Sequence, residues 1–294
     1  MMTGRTTLTT GYATADLHLP AEHPLALPDV AHLLPGGWTT SPPRLETDAQ
    51  LTLEITAGPG QVDVTEKGVI ALALTEQVAH SAALAYITYT ALERTRQQHR
   101  MATVHATAVT HQGRAALLLG HKAAGKTTTA LALAQRGWTH AGDDLLVLRE
   151  ADGELFALPG KPTAAVRPAD TGRFYRPKPV LDLRDGFQVA PASIALIVRL
   201  AVHPYSQTLT APATPFSTAE LLRLHENLAR YITGLPTPIN GLTGMPYGTA
   251  WPLDTPQCAR WRSQLISLLG RSRFFYLHAP TAYAAADLIE ELMP

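Results

Sequence analysis

The stretch LLLGHKAAGKTTTALALAQRG, residues 117–137, constrains the fold of this chain more than any other. It places a glycine-rich loop between the apolar run Ala115 to Leu119 and a segment of small and leucine residues that ends before Gly137. The apolar run is typical of a strand buried on both faces, and the segment after the loop is typical of a helix closed by a left-handed glycine. Strand, glycine turn and helix in this order predict an α/β fold with a mixed β-sheet flanked by helices, with α+β character towards the chain ends.

The loop itself follows the pattern G-x-x-x-x-G-K-[ST]. In this pattern successive backbone N–H groups converge on phosphate oxygens, and the helix behind them offers the positive end of its dipole. Lys126 adds a mobile charge for the β- and γ-phosphates, and the Thr127 hydroxyl can bind the magnesium ion that bridges them. The alternative is a purely structural glycine turn. The predicted phosphate-binding residues are Gly120, Lys122, Ala123, Ala124, Gly125, Lys126, Thr127 and Thr128.

An acidic pair, Asp143-Asp144, follows the predicted helix. GTPases, ATPases and kinases share such a loop, so the class of enzyme has to be predicted from residues further along the chain. Two adjacent carboxylates near a γ-phosphate can have different roles, because one can bind the metal while the other accepts a proton from an attacking hydroxyl. A solvated acidic turn is the alternative interpretation.

Composition excludes several classes of function. The 24 basic and 24 acidic residues give a net charge of zero, which predicts no nucleic-acid partner and no anionic membrane surface. A single cysteine, Cys258, excludes an internal disulfide framework and a Cys-rich zinc site, suits a reducing cytoplasm, and is expected to be a small buried hydrophobe. No apolar run approaches the roughly 18 residues that span a bilayer. We therefore expect a cytoplasmic protein.

Outside the core segment, local patterns predict a series of further elements. The first 45 or so residues, rich in Thr, Pro and Gly, favour loops. A Gly- and Pro-rich stretch at 234–256 is a candidate lid, with an ordinary surface loop as the alternative. We expect three segments: an N-terminal α/β segment (1–98) that packs on the core, a phosphate-loop core (99–205) and a C-terminal helical or α+β segment (206–294). The predicted strands are 51–55, 69–74, 194–202 and 274–278, the predicted helices lie within 75–98 and at 217–232, 261–269 and 281–292, and a hairpin is centred on 151–153.

The stretch VHATAVTHQGRAALLLGHKAAGKTTTALALAQRGWTHAGDD resembles the catalytic core of HPr kinase/phosphorylase and of the smaller HPr-kinase-related kinases. That family has a histidine at the start of a strand, a phosphate loop 15 residues later, and an Asp-Asp pair after the intervening helix and a glycine. Here these features are His105, the loop from Gly120 and Asp143-Asp144. The match is close over about residues 100–160 and loose over about 160–205, roughly a third of the chain. It implies a fold similar to the HPr kinase C-terminal domain and to phosphoenolpyruvate carboxykinase.

The resemblance also implies ATP- and Mg²⁺-dependent phosphoryl transfer to a hydroxyl group. Asp143 takes the position of the base, while Asp144 is expected to be either a magnesium ligand, together with Thr127, or a structural partner of Asp143. His105 matches a family histidine near the phosphates, and its alternative is a core histidine between two strands. Where the family commonly has a serine and an acidic residue after the loop lysine, this chain has Thr127 and Thr128, so the acidic contribution to the metal site is smaller. Family members often form oligomers, which implies a possible homo-oligomer.

One segment departs from the family. In place of the glycine-rich signature that follows the core of true HPr kinases stands RPADTGRFYRPKPVLDLRDGF, residues 167–187. This difference disfavours HPr as acceptor and the reverse, phosphorylase reaction, and favours a small-molecule or peptide acceptor. Arg173, Arg176 and Lys178 could clamp an anionic acceptor, or could form a solvated basic loop. The alternatives to small-molecule kinase activity are a protein Ser/Thr kinase acting on a carrier-like protein and a nucleotide-responsive regulatory module without transfer.

Overall fold

A computed structural model describes the chain outside nine segments. These segments are residues 1–2, 11–12, 21–38, 42–50, 58–60, 65–68, 75–82, 167–178 and 233–252. The candidate lid at 234–256 therefore lies largely outside the described residues.

The chain divides into two compact units. One contains described residues of Met1–Ala102 and His225–Ser263, and the other those of Thr103–Leu224 and Gln264–Pro294. The predicted domain ranges 1–98, 99–205 and 206–294 stay a prediction.

The first unit contains a six-stranded sheet and a helix that lies against two of its strands, β2 and β4. Its strand order is β3-β1-β2-β4-β6-β5, with parallel pairing of β2 with β4 and of β4 with β6 and antiparallel pairing elsewhere. The elements are β1 Thr3–Thr10, β2 Ala13–Pro20, β3 Thr39–Ser41, β4 Leu51–Ala57, β5 Gln61–Val64, β6 Val69–Leu74 and α1 Ala83–Gln98.

The expectation of loops in the first 45 residues is wrong for the strands β1, β2 and β3. β1 and β2 form an antiparallel hairpin whose register runs from Thr3 opposite Pro20 to Thr10 opposite Ala13. Threonine is a β-branched residue that favours strands when a partner strand is present, although it is also common in loops. The pairing partners, and not the local composition, decide the structure here.

A buried polar network joins α1 to α4 (Pro256–Arg271) within the first unit. Arg262 donates to the Gln97 side-chain oxygen at 2.7 Å and forms two bonds with Asp254, at 3.0 and 2.7 Å. Gln97 in turn donates to Glu93 at 2.9 Å. Because Gln97, Glu93 and Arg262 are buried, these bonds satisfy groups that water does not reach. Cys258, on the same helix, is fully buried as expected.

The second unit contains a mixed eight-stranded sheet. Its order is β11-β10-β7-β8-β14-β16-β15, with β9 on β7 and an additional pairing of β11 with β14. β7 and β8 are antiparallel, whereas β8, β14 and β16 are parallel to one another. The strands are β7 Met101–His111, β8 Arg114–Leu119, β9 Thr139–Gly142, β10 Leu145–Ala151, β11 Glu154–Leu158, β14 Ala192–Val202, β15 Leu209–Pro212 and β16 Phe274–Ala279. A separate two-stranded sheet pairs β12 Thr163–Ala165 with β13 Val180–Asp182.

This unit contains the helices α2 Lys126–Ala134 and α5 Ala282–Leu292 and the N-terminal part of α3, which spans Thr218–Ala229. α2 and α5 pack against each other, and their apolar faces join the inward side chains of β8, β14 and β16 in one core. The expected mixed α/β sheet with flanking helices is confirmed at this level. In the ranges that the structure describes, no helix is long and apolar enough to cross a membrane.

Several local predictions are confirmed with shifted ends. The hairpin turns at Asp152-Gly153, both with positive φ (53° and 83°), as a two-residue turn requires. Ser217 caps α3 by accepting from the Glu220 backbone N–H at 3.2 Å, although that helix ends at Ala229 and not near residue 232. The buried Glu220 carboxylate accepts from Arg199 and from the Tyr276 hydroxyl.

Candidate functional site

Three neighbouring strands bring the predicted site residues together. β7 lies between β8 and β9, and its residue Ala106 is opposite Leu119, the last residue of β8. On the other side of β7, Ala108 is opposite Gly142, the last residue of β9. The glycine-rich loop and the Asp143-Asp144 pair therefore leave the sheet on either side of residues 105–107.

The loop packs tightly on the end of β14. Gly125 has φ 88°, and a Cβ atom there would lie 2.7 Å from the Val202 Cβ, so only glycine fits. The Val202 N–H donates to the Ala124 carbonyl at 3.0 Å. A Cβ atom on Gly120 would lie 2.8 Å from the Leu200 carbonyl oxygen. Gly125 is thus required by its positive φ and by the Val202 side chain, and Gly120 by the close approach of the Leu200 carbonyl.

Lys126 is the first residue of α2 and is only 7% exposed. Its ammonium group donates to the carbonyls of Gly120 (2.9 Å) and His121 (3.0 Å), which holds the charge beside the loop. The Thr128 hydroxyl, in contrast, donates back to the Gly125 carbonyl at 2.9 Å and lies on the exposed side. Lys122 and Ala123 are also exposed, at the outer turn of the loop.

Asp143 is buried and accepts hydrogen bonds from two threonines. The Thr127 hydroxyl donates to it at 2.9 Å (Oδ1) and 3.2 Å (Oδ2), and the Thr107 hydroxyl donates to Oδ1 at 2.6 Å. Sequence reasoning missed Thr107. The signal was present, because residues two apart on a strand share a face, and Thr107 is two residues after His105 on β7.

Asp144 has different surroundings. Its side chain is 56% exposed and lies 3.2 Å from the Nε2 atom of His105. The hydrogen bond from His105 lowers the pKa of Asp144 to about 2; partial burial opposes this shift, while the charges of His105, Lys161 and Lys126 reinforce it. Asp144 also has φ 69°, and across it the Leu145 N–H donates to the Asp143 carbonyl at 2.9 Å. A three-residue turn with positive φ at a non-glycine residue is a strained conformation of the kind that clusters at functional sites.

Two further buried basic side chains near the acidic pair were not predicted. Lys161 is 7% exposed, and its charge acts on Asp144. His140, on β9, is 3% exposed, and burial lowers its pKa while the charge of Asp143 opposes that shift. Neither residue belongs to a sequence motif, and the folded arrangement of β9 and of the segment after β11 brings them to the site.

The structure says less about the predicted acceptor-binding residues and about the predicted metal site. Arg173, Arg176 and Lys178 lie outside the described residues. In the described part of the chain no three His, Cys, Asp or Glu side chains form a metal-binding group. The Thr127 hydroxyl and the Asp143 carboxylate that it contacts are hard oxygen donors, and the Asp144 carboxylate is the next one along the chain. Such donors suit Mg²⁺, because this ion is usually held by one or two carboxylates and the phosphates of its substrate.

No protein-family model matches the chain, and no curated protein matches it. Among solved structures, the Hpr(Ser) kinase/phosphatase from Coxiella burnetii aligns with 19% identity and a TM-score of 0.26, covering 44% of this chain and 93% of that one. A TM-score of this size does not establish a shared fold.

Proposed function

We propose that this protein is an ATP- and Mg²⁺-dependent kinase that transfers the γ-phosphate of ATP to a hydroxyl group of a small molecule or peptide. The observation that carries the proposal is the 2.9 Å hydrogen bond between Thr127, at the end of the glycine-rich loop, and Asp143 of the acidic pair. It joins the residue expected beside the β- and γ-phosphates to a carboxylate that can take up a proton. The resemblance of His105, the loop and the Asp pair to HPr-kinase-related kinases supports the same reaction.

The chain's own residues suit the binding of a nucleotide phosphate. The loop N–H groups and the N-terminus of α2 would bind the phosphate oxygens, and Lys126 would contact the β- and γ-phosphates. Thr127 and Asp144 would hold Mg²⁺, with Asp143 hydrogen-bonded beside them. When bound, Mg²⁺ supplies positive charge that offsets the charge of the phosphate oxygens.

Asp143 is the proposed base. The acceptor oxygen forms a bond to the γ-phosphorus while the bond from that phosphorus to the β–γ bridging oxygen breaks, and its electron pair leaves with ADP. The acceptor proton passes to Asp143. Asp144 is the weaker candidate for this step, because a carboxylate with a pKa of about 2 stays ionised at neutral pH and binds protons poorly.

Several wider expectations remain part of the proposal. We propose a cytoplasmic location, no nucleic-acid or membrane partner and a possible homo-oligomer, as composition and resemblance predict. A small-molecule or peptide acceptor is favoured over a carrier-like protein, because residues 167–187 replace the signature segment of true HPr kinases.

The test is to incubate the protein with γ-labelled ATP, magnesium and a low-molecular-weight extract fraction, and to follow the label. We expect label on a small compound, and its loss in Lys126→Ala and Asp143→Asn. Asp152→Asn is the matched control, since it makes the same chemical change in the exposed turn between β10 and β11. It should leave transfer unchanged.

Other outcomes separate the alternatives. Label on a protein from a whole-cell extract, with none on small compounds, would favour the protein kinase. Label that stays on ATP or appears only as free phosphate, with both extracts, would favour the regulatory module. Normal turnover by Asp143→Asn would remove this residue as the base.

A further inference from the structure

We infer that Lys161 is a further catalytic residue whose ammonium group contacts the transferred phosphoryl group and stabilises its charge in the transition state. The inference rests on the proposed kinase function. It concerns a residue to which the motif and the family resemblance assign no role.

The first observation is burial. A lysine side chain is rarely buried without an anionic partner, because removing an ammonium group from water is unfavourable. Among the described residues, the buried lysines are Lys126, in the phosphate loop, and Lys161. Lys126 precedes Thr127, whose hydroxyl donates to Asp143, and Lys161 follows Gly160, whose backbone lies against Gly142, the residue before Asp143. The two buried lysines of the described chain thus belong to the same cluster.

The second observation is the backbone contact that positions Lys161. The Gly160 N–H donates to the Ala141 carbonyl at 2.7 Å. A Cβ atom on Gly160 would lie 2.9 Å from the Gly142 Cα, and one on Gly142 would lie 3.0 Å from the Gly160 Cα. Lys161 follows one of these glycines and Asp143 follows the other. Two glycines that allow this approach therefore place the lysine beside the acidic pair.

The segment is also held on its far side. The Leu183 N–H donates to the Pro162 carbonyl at 2.9 Å, and β12 then pairs with β13. Lys161 consequently sits between two backbone anchors. A preorganised charge of this kind is effective because little reorganisation is needed when charge develops on the substrate.

The transferred phosphoryl group also needs positive charge on the side of the acidic pair. During transfer, the phosphoryl group carries negative charge on its three equatorial oxygens, next to the carboxylates of Asp143 and Asp144. The ammonium group of Lys126 lies beside the loop, where it donates to the carbonyls of Gly120 and His121. A second ammonium group on the side of the acidic pair would offset the repulsion between the carboxylates and the phosphoryl group. Lys161 supplies that charge.

The test compares Lys161→Met with wild type in the γ-labelled ATP assay. We expect kcat for transfer to fall by about 100- to 1,000-fold, the range for loss of one transition-state contact. The KM for ATP and the thermal stabilisation by Mg²⁺-ATP should stay within about threefold of wild type, because the loop that binds the nucleotide is unchanged. Arg149→Met is the matched control, as Arg149 is exposed on β10 with its guanidinium over Phe156.

A rescue experiment separates catalysis from structure. In Lys161→Ala, added ethylamine should restore part of kcat, whereas ethanol at the same concentration should not. A Lys161→Met variant with kcat within threefold of wild type would overturn the inference, and so would a folded Lys161→Ala variant that ethylamine does not activate. If wild type itself transfers no label with either extract, the proposed function fails, and the inference falls with it.

Discussion

At the level of single residues, two adjacent aspartates have unlike surroundings. Asp143 is buried and accepts from Thr107 and Thr127, whereas the exposed Asp144 pairs with His105 in a strained turn. Burial and hydroxyl donors orient the first carboxylate, while the hydrogen bond from His105 lowers the pKa of the second one. This difference is the physical basis for assigning them separate roles.

Thr107→Val tests whether the hydroxyl of Thr107 orients Asp143. Valine has nearly the same shape, so the change removes mainly the 2.6 Å hydrogen bond to the carboxylate. We expect a loss of about 1–3 kcal/mol in the free energy of unfolding and a roughly tenfold lower kcat. Thr110→Val is the matched control on the same strand, since the Thr110 hydroxyl makes only long bonds of 3.4 and 3.5 Å. Equal effects in urea titrations and assays of both variants would contradict the assigned role.

The pKa of Asp144 predicts a pH dependence. A carboxyl group whose pKa is lowered to about 2 in the folded state stabilises the fold above its unfolded value near 3.9, and that contribution disappears as pH falls towards 2. NMR titration should show the Asp144 carboxyl with a low pKa in wild type and a higher one in His105→Ala. An unchanged value in that variant would exclude His105 as the main cause.

At the level of elements, the site depends on the ends of β8 and β9 on either side of β7 and on a close contact between two glycines. Gly142 ends β9 and Gly160 follows β11, and their backbones approach too closely for any side chain. This contact fixes where the Asp pair and Lys161 lie relative to each other. Backbone geometry, and not side-chain packing alone, therefore shapes the site.

Gly160→Ala should disturb this contact. A methyl group 2.9 Å from the Gly142 Cα forces the two backbone segments apart, because neither can move as a side chain does. We expect a loss of about 1–3 kcal/mol in stability and a lower kcat. The control is Gly270→Ala in α4, where the nearest atom belongs to the Phe216 ring at 3.2 Å and the ring can shift. Denaturant titration of both variants checks this, and a neutral Gly160→Ala would contradict it.

At the level of the whole molecule, nucleotide binding should raise stability by mass action. If Mg²⁺-ATP binds the folded chain and not the unfolded one, a concentration of 100 times Kd adds about 2.7 kcal/mol. Thermal melting should therefore shift upwards with Mg²⁺-ATP in wild type and much less in Lys126→Ala. Inorganic phosphate with magnesium is the control ligand. A shift in Lys126→Ala as large as in wild type would contradict the assigned phosphate contact.

The sequence by itself determined the elements whose signals are local. The run before Gly120 predicts a buried strand, the glycines and Lys126 predict a loop before a helix, and Asp152-Gly153 predicts a hairpin turn, since each signal depends on neighbouring residues only. That the loop and the Asp pair lie close together was predicted from the family resemblance that these residues carry.

The tertiary structure decided what depends on pairing between distant segments. The register of β7 against β8 and β9 places Thr107 on Asp143 and His105 on Asp144, and the Gly142–Gly160 contact brings in Lys161. The strands in the first 20 residues likewise needed their partners. No periodicity within a segment encodes which strands pair or in what register, because those choices are made by packing over the whole sheet.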